Sequence, residues 1–198
     1  MIWLTNCLLR RCFNVGAGAV FFTVTALAFS VQVSAEVINV KSAVVRTQDD
    51  AYVIDAEFDF SLTAPLEEAL VRGTPLYFVL ETDITRNRPY WFDERVPSPS
   101  FVRRLTFAAL TNSYRVDTGL SVGTPNSYPT LDEALRQIRL VRGRTLIDKR
   151  ELRSGDRYEV SLRLKLDTTR LPKPLQVNTL VSREWTLSSD WYRVVVTP

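Results

Sequence analysis

Three carboxylates, Asp55, Glu57 and Asp59, recur at every second position in a stretch whose other positions are apolar. Tyr52, Ile54, Ala56, Phe58 and Phe60 fall on one side of a period-two pattern, and Val53 joins the three acids on the other. In an extended strand, successive acids on one face lie about 7 Å apart. Such a row suits two kinds of chemistry. Hard oxygen ligands bind calcium, and two carboxyl groups roughly 5 to 9.5 Å apart across a sugar make a glycosidase pair. It also suits a plain structural role, as a solvated strand face or as ion-pair partners for arginines on the neighbouring strand. No segment has the ligand spacing of an EF-hand loop.

A second group lies in the run Arg86-Asn87-Arg88-Pro89-Tyr90-Trp91-Phe92-Asp93-Glu94-Arg95. Arg86, Arg88, Tyr90, Trp91, Asp93 and Glu94 combine flat aromatic faces with guanidiniums and acids. That mixture recognises sugar rings, peptides or another protein, and Trp, Tyr and Arg dominate the energetics of protein interfaces. An extended chain would present Arg86, Arg88 and Tyr90 on one side. The opposing reading makes Trp91 and Phe92 core or lid residues with the arginine stems packed around them. Trp185, Asp190 and Trp191 complete the candidate binding residues. They lie beside polar turns, in Arg183-Glu184-Trp185 and Ser188-Ser189-Asp190-Trp191, and Trp191 also suits the end of a sandwich. Leu171-Pro172-Lys173-Pro174 reads as a stiff loop between edge strands or as a short polyproline segment open to a partner.

Other chemistries lack their residues. The chain has no histidine, which removes the usual base near neutral pH, the Ser-His-Asp triad and the commonest transition-metal ligand. Its two cysteines, Cys7 and Cys12, both precede the main body of the sequence, so no disulfide, thiolate nucleophile or thiolate metal site is expected there. No phosphate-cradling or dinucleotide-binding glycine motif occurs. These absences give the expectation of a non-enzyme with no cofactor, no metal and no catalytic residues.

The elements that hold the candidates begin after an unusual N-terminus. Arg10 and Arg11 precede a 23-residue uncharged run from Phe13 to Ala35, which ends Val33-Ser34-Ala35. A positive start, an apolar middle and small residues at the end have the order of a secretory signal. Cleavage is expected after Ala35, leaving one domain over 36–198. The run also has the length to cross a bilayer of about 30 Å, so an uncleaved anchor is the alternative. Either way the expected location is the periplasm, or the inner membrane facing it. Beyond residue 35 the chain carries 23 basic and 22 acidic side chains, interspersed. That balance offers no basic stripe for nucleic acid.

Strands are expected over 37–46, 51–60, 75–85, 101–109, 113–118, 144–152, 158–166, 175–187 and 190–197. Tyr158, Val160, Leu162, Leu164 and Leu166 give a second clear alternation. A short helix is expected over 63–72, with Thr63 as its cap and Gly73 as its stop. Another starts at Thr130, where Thr130 and Glu133 form a capping box, and ends at Gly143. The fold class is mainly β, an antiparallel β-sandwich of about eight strands with two short helices in connecting loops.

Several of these segments resemble one family. They are Leu66-Glu67-Glu68-Ala69-Leu70, Arg72-Gly73-Thr74-Pro75-Leu76-Tyr77-Phe78, Arg88-Pro89-Tyr90-Trp91-Phe92-Asp93-Glu94, Leu110-Thr111-Asn112-Ser113-Tyr114-Arg115 and Leu131-Asp132-Glu133-Ala134-Leu135. Two more follow, Leu171-Pro172-Lys173-Pro174-Leu175-Gln176-Val177-Asn178 and Trp185-Thr186-Leu187-Ser188-Ser189-Asp190-Trp191. Together they resemble the domain of unknown function 4390 family of exported bacterial proteins, with Pro89 departing from its usual aromatic run. The resemblance implies a Gram-negative, mainly betaproteobacterial, envelope protein with a signal or anchor. It also implies gene neighbourhoods with a membrane sensor kinase, and no assigned activity. The expected function is a non-catalytic, exported interaction domain accessory to a membrane sensor or envelope signalling protein. The alternatives are a small-ligand or glycan-binding module of the envelope and, less favoured, a carboxylate-dependent hydrolase.

Overall fold

Ten strands in two antiparallel sheets account for nearly half of the described chain. A computed structural model describes residues 37–88, 90–119 and 126–198, so the signal or anchor reading of residues 1–35 lies outside it. The first sheet has the order β1-β2-β8, from β1 (Asn39–Gln48), β2 (Ala51–Asp59) and β8 (Leu140–Asp148). The second has the order β10-β9-β3-β5-β6-β7. Its strands are β3 (Leu76–Arg86), β5 (Phe101–Ala108), β6 (Ser113–Asp117), β7 (Asn126–Tyr128), β9 (Tyr158–Leu166) and β10 (Tyr192–Val196), with β4 (Glu94–Val96) as a short extra partner of β3. Every pairing is antiparallel. The architecture is the expected β-sandwich: eight of the nine expected strand segments form, and the short β4 and β7 are additional.

Period-two patterning is what closes the core. Along β9 the residues Tyr158, Val160, Leu162, Leu164 and Leu166 are buried and their neighbours half-buried. Ile54, Ala56 and Phe58 on β2 face them as part of one cluster with Phe78, Leu80 and Leu105. Phe60 and Phe78 meet with ring centroids 5.4 Å apart. Each such side chain contributes roughly 1.5–3 kcal/mol on leaving water. Helix α1 (Ala64–Val71) adds Leu66 and Leu70, and α2 (Leu131–Arg139) adds Ala134, Leu135 and Ile138. All described residues belong to one compact unit, 34–198.

β3 is the spine of the second sheet. One edge pairs with β9 from Phe78 to Arg86. The other pairs with β5 through Leu76–Leu80 and with β4 through Ile84–Arg86. Between these two partners the chain runs Pro97-Ser98-Pro99, and a proline nitrogen has no hydrogen to donate. Hydroxyls bridge the gap instead. Ser98 Oγ donates to the Thr82 carbonyl at 2.6 Å, and Thr82 Oγ1 donates to the Pro99 carbonyl.

Four local expectations are corrected. Residues 175–187 are not a strand. Helix α3 (Lys173–Val181) starts there, followed by a 3-10 turn over Arg183–Trp185. Pro172 is its N-cap and Pro174 lies in its first turn, where the missing N–H costs nothing. The prolines that argued against a central strand therefore open a helix, and 171–174 is neither an edge loop nor a polyproline stretch. Gly143 does not end α2, because β8 begins at Leu140 directly after Arg139. Gly143 sits inside β8 at φ +59°, where the register slips between Ile54 and Ala56. It is the left-handed residue of a β-bulge. Thr63 precedes α1, but its side chain makes no cap; the hydroxyl donates to the Glu184 carbonyl at 2.6 Å. Thr130 does cap α2, accepting from the Glu133 N–H at 3.3 Å.

Candidate functional site

The arginine and aromatic run forms a hairpin tip, because β3 stops at Arg86 and β4 returns along it with Arg86 opposite Glu94. Arg88 and Tyr90 therefore lie in the turn rather than on a strand face shared with Arg86. The turn is held at its base, where the Asn87 N–H donates to the Arg157 carbonyl at 3.0 Å and the Arg88 N–H reaches Asp93 Oδ1 at 3.4 Å. Above that base Tyr90, Trp91 and Phe92 are 92%, 79% and 95% exposed. The reading of Trp91 and Phe92 as core or lid residues is overturned. They lie past the end of the strand, where no second sheet covers them. Among the described residues the three rings have no stacking or hydrogen-bonding partner.

Arg86 is not part of the exposed surface. It is 8% exposed, a buried cation at the root of the hairpin. Its Nη2 binds Glu94 Oε2, and its Nη1 lies 3.3 Å from Asp156 Oδ2. Arg88 Nη2 converges on the same Glu94 oxygen. One carboxylate thus ties the strand end to the turn. The Nε atoms of Arg86 and Arg88 are buried with no partner among the described residues. A cavity of about 340 Å³ opens beside this root, lined by Arg86, Glu94, Glu151, Arg153 and Tyr158 among others.

The remaining candidates are elsewhere. Trp191 lies on the outer face of the second sheet, with the Arg163 guanidinium 4.5 Å from its ring centroid. Arg163 also binds Glu81 at 2.5 Å, and Lys165 binds the other Glu81 oxygen at 2.7 Å. Arg95 pairs with Asp83 at 3.0 Å. Glu81, Asp83, Arg95, Ser100, Arg163 and Trp191 line a concavity of about 390 Å³. Asp190 is exposed and belongs to a smaller neighbouring cavity formed with Val37–Val40. Trp185 is half-buried in the turn after α3, packed against the core. The nine candidates therefore divide into a hairpin group, a Trp191 group and an isolated Trp185. Glu81, Arg163 and Lys165 were missed, because their convergence depends on cross-strand register, which alternation alone does not give.

The acidic row on β2 makes ion pairs with β1. Asp55 binds Arg46 and also accepts the Gly143 N–H at 2.6 Å, and Asp59 binds Lys41 at 3.4 Å. The Arg46 hydrogen bond holds the Asp55 carboxyl below its ordinary value, against the opposing effect of burial and with help from the Gly143 N–H. Burial would raise Glu81, but hydrogen bonds from Lys165 and Arg163 outweigh it and leave that carboxyl lowered too. Both groups are more acidic folded than unfolded, so each stabilises the fold above the ordinary carboxylate pKa. That stabilisation is lost as the pH falls through the folded pKa. Urea midpoints measured against pH should show Asp55→Asn well below wild type at neutral pH, with the two curves converging in acid. A constant gap across the range would refute the assignment.

Among the described residues no cluster of three His, Cys, Asp or Glu side chains could hold a metal ion, and no helix is long and apolar enough to cross a membrane. No curated protein and no solved structure matches the chain. A family described as Domain of unknown function (DUF4390) matches residues 35–195. With that match over most of its length and the sequence segments already noted, the chain belongs to the domain of unknown function 4390 family.

Proposed function

We propose that this protein is a non-catalytic, exported interaction domain that works at the envelope membrane as the accessory of a membrane protein. The hairpin tip is its docking element. The observation that carries this reading is the exposure of three consecutive aromatic rings, Tyr90, Trp91 and Phe92, on a turn anchored by the ion pair of the buried Arg86 with Glu94. Isolated exposed apolar residues are ordinary, whereas a contiguous aromatic group marks an interaction site. The signal-like N-terminus and the family's envelope setting support the location. Crosslinking in intact cells followed by mass spectrometry tests it. The full chain should recover one specific membrane protein, and the triple change Tyr90→Ser, Trp91→Ser, Phe92→Ser should lower that recovery at least about tenfold, since without the tip the domain no longer docks at the membrane surface where that protein lies. Recovery of abundant envelope proteins alone, or unchanged recovery by the triple variant, would refute the reading.

The Trp191 concavity favours a second reading, a glycan-binding module. An aromatic ring beside ordered carboxylates and guanidiniums offers a sugar both a stacking face and hydrogen-bond partners. Its mark is saturable binding of peptidoglycan fragments that perturbs Trp191 fluorescence and vanishes in Trp191→Ala.

A further inference from the structure

We infer that the surface the hairpin tip enters is the lipid bilayer interface, with Tyr90, Trp91 and Phe92 seated at headgroup depth. This rests on reading the tip as a docking element and specifies what it docks into. The three rings lie beyond the last paired residue of β3, Arg86, and stand almost fully exposed rather than lining a groove. A ring that plugs a protein pocket gains from being fixed beforehand. These three have no ring or hydrogen-bond partner among the described residues, which suits a soft medium that accepts many ring orientations. Tyr and Trp also favour the membrane–water boundary, where an apolar ring body and a polar edge are both accommodated.

The charges around the tip agree. Glu94 takes both Arg86 and Arg88, Arg95 takes Asp83, and Asp93 accepts the Arg88 backbone N–H. Residues 90–92 are themselves uncharged, so seating them at an interface strips water from no unpaired ion. The uncharged run from Phe13 to Ala35 ends two residues before the first described residue, Val37. Uncleaved, that run would hold the domain within reach of a bilayer surface. A competing apolar surface exists on α3, where Leu180 is 86% exposed. Helix α3 is tied to the opposite end of β3 through residues 167–170: the Asp167 N–H donates to the Tyr77 carbonyl at 2.7 Å, and Gln176 on α3 donates to the Thr169 carbonyl at 2.7 Å. Tyr77 and Arg86 are about 30 Å apart along the strand, so one bilayer surface cannot receive both ends.

The test uses the full chain, with Cys7 and Cys12 replaced by serine, reconstituted into vesicles of phosphatidylethanolamine and phosphatidylglycerol. An environment-sensitive fluorophore is placed at Tyr90→Cys in one preparation and at Leu180→Cys in another. The label at 90 should be quenched by brominated lipid and shielded severalfold from aqueous iodide, while the label at 180 stays iodide-accessible. Adding Trp91→Ser and Phe92→Ser should return the label at 90 to water, showing that the native rings rather than the dye drive insertion. Equal iodide access at 90 and 180, or lipid quenching at 180 instead, overturns the proposal. A photo-crosslinker at position 90 in living cells then separates the two levels of inference. Protein adducts without lipid contact overturn the bilayer assignment and leave the docking element standing, and neither adduct overturns both.

Discussion

Arg103→Met should destabilise the domain by about 3–4 kcal/mol, because a guanidinium that terminates a helix and bridges three carbonyls has no substitute there. Arg103 lies on β5 and is 7% exposed. Its Nη1 donates to the carbonyls of Gln137, Ile138 (3.1 Å) and Leu140 (2.8 Å) at the end of α2. The last carbonyls of any helix lack intrahelical partners and carry partial negative charge. Here a cation from the facing sheet satisfies them. Holding that charge has a cost, since burial and the nearby Arg144 push the Arg103 pKa down to about 10. The methionine variant removes the charge and the cost with it, but leaves the carbonyls without a donor in a site closed to water. For a domain of this size the melting temperature should fall by roughly 6–16 °C. Arg103→Lys keeps the charge without the reach and fork of the guanidinium, so it should recover only part of the loss. A change below about 1 kcal/mol in urea unfolding for Arg103→Met would show that water reaches those carbonyls, and that the arginine is not what stops α2.

Arg103 also shows what the sequence could not convey. The alternations of β2 and β9 are local and were legible, as was the Thr130 cap of α2, because each concerns residues near one another in the chain. The end of α2 is fixed by a residue 34 positions upstream of Gln137. No local signal marks it, and Gly143 took the blame because glycines commonly follow helices. The same division runs through the candidate site. The composition of residues 86–95 marked them as a surface of interest, and six of the nine candidates do fall in that one hairpin. Which side chains face out was not legible. Arg86 is buried because register sets it opposite Glu94 on one side and Tyr158 on the other. Trp91 is exposed because the strand ends before it. An aromatic run carries no sign of its own for inside or outside; the sheet edge supplies that sign.

The root of the hairpin gives the second large effect. Glu94→Ala should cost about 1.5–2.5 kcal/mol. Removing one partner of a buried ion pair costs roughly 3–5 kcal/mol, and two features of this site reduce that figure. Glu94 is itself 46% exposed on its side chain, and Asp156 remains 3.3 Å from Arg86 as a second counter-charge. What remains is a buried guanidinium deprived of its better partner, with an Nε–H that already has none among the described residues. The cost therefore resides in the orphaned cation rather than in the attraction of the pair, and this can be checked directly. If so, the double variant Arg86→Met, Glu94→Ala should be more stable than Glu94→Ala alone, since methionine fills much of the same space without a charge to leave unpaired. Asp156→Asn, which touches only the longer contact, should cost less than either. The substitution should also loosen the tip, because the same carboxylate oxygen holds Arg88 in the turn. Limited trypsin digestion should cut Glu94→Ala after Arg95 well before it cuts wild type, and, with the tip as the docking element proposed above, that variant should recover less of the proposed membrane partner even at temperatures where it is fully folded. If Glu94→Ala loses stability but keeps wild-type cleavage and wild-type recovery, the ion pair supports the sheet alone and the tip is positioned by its backbone contacts to Arg157 and Asp93.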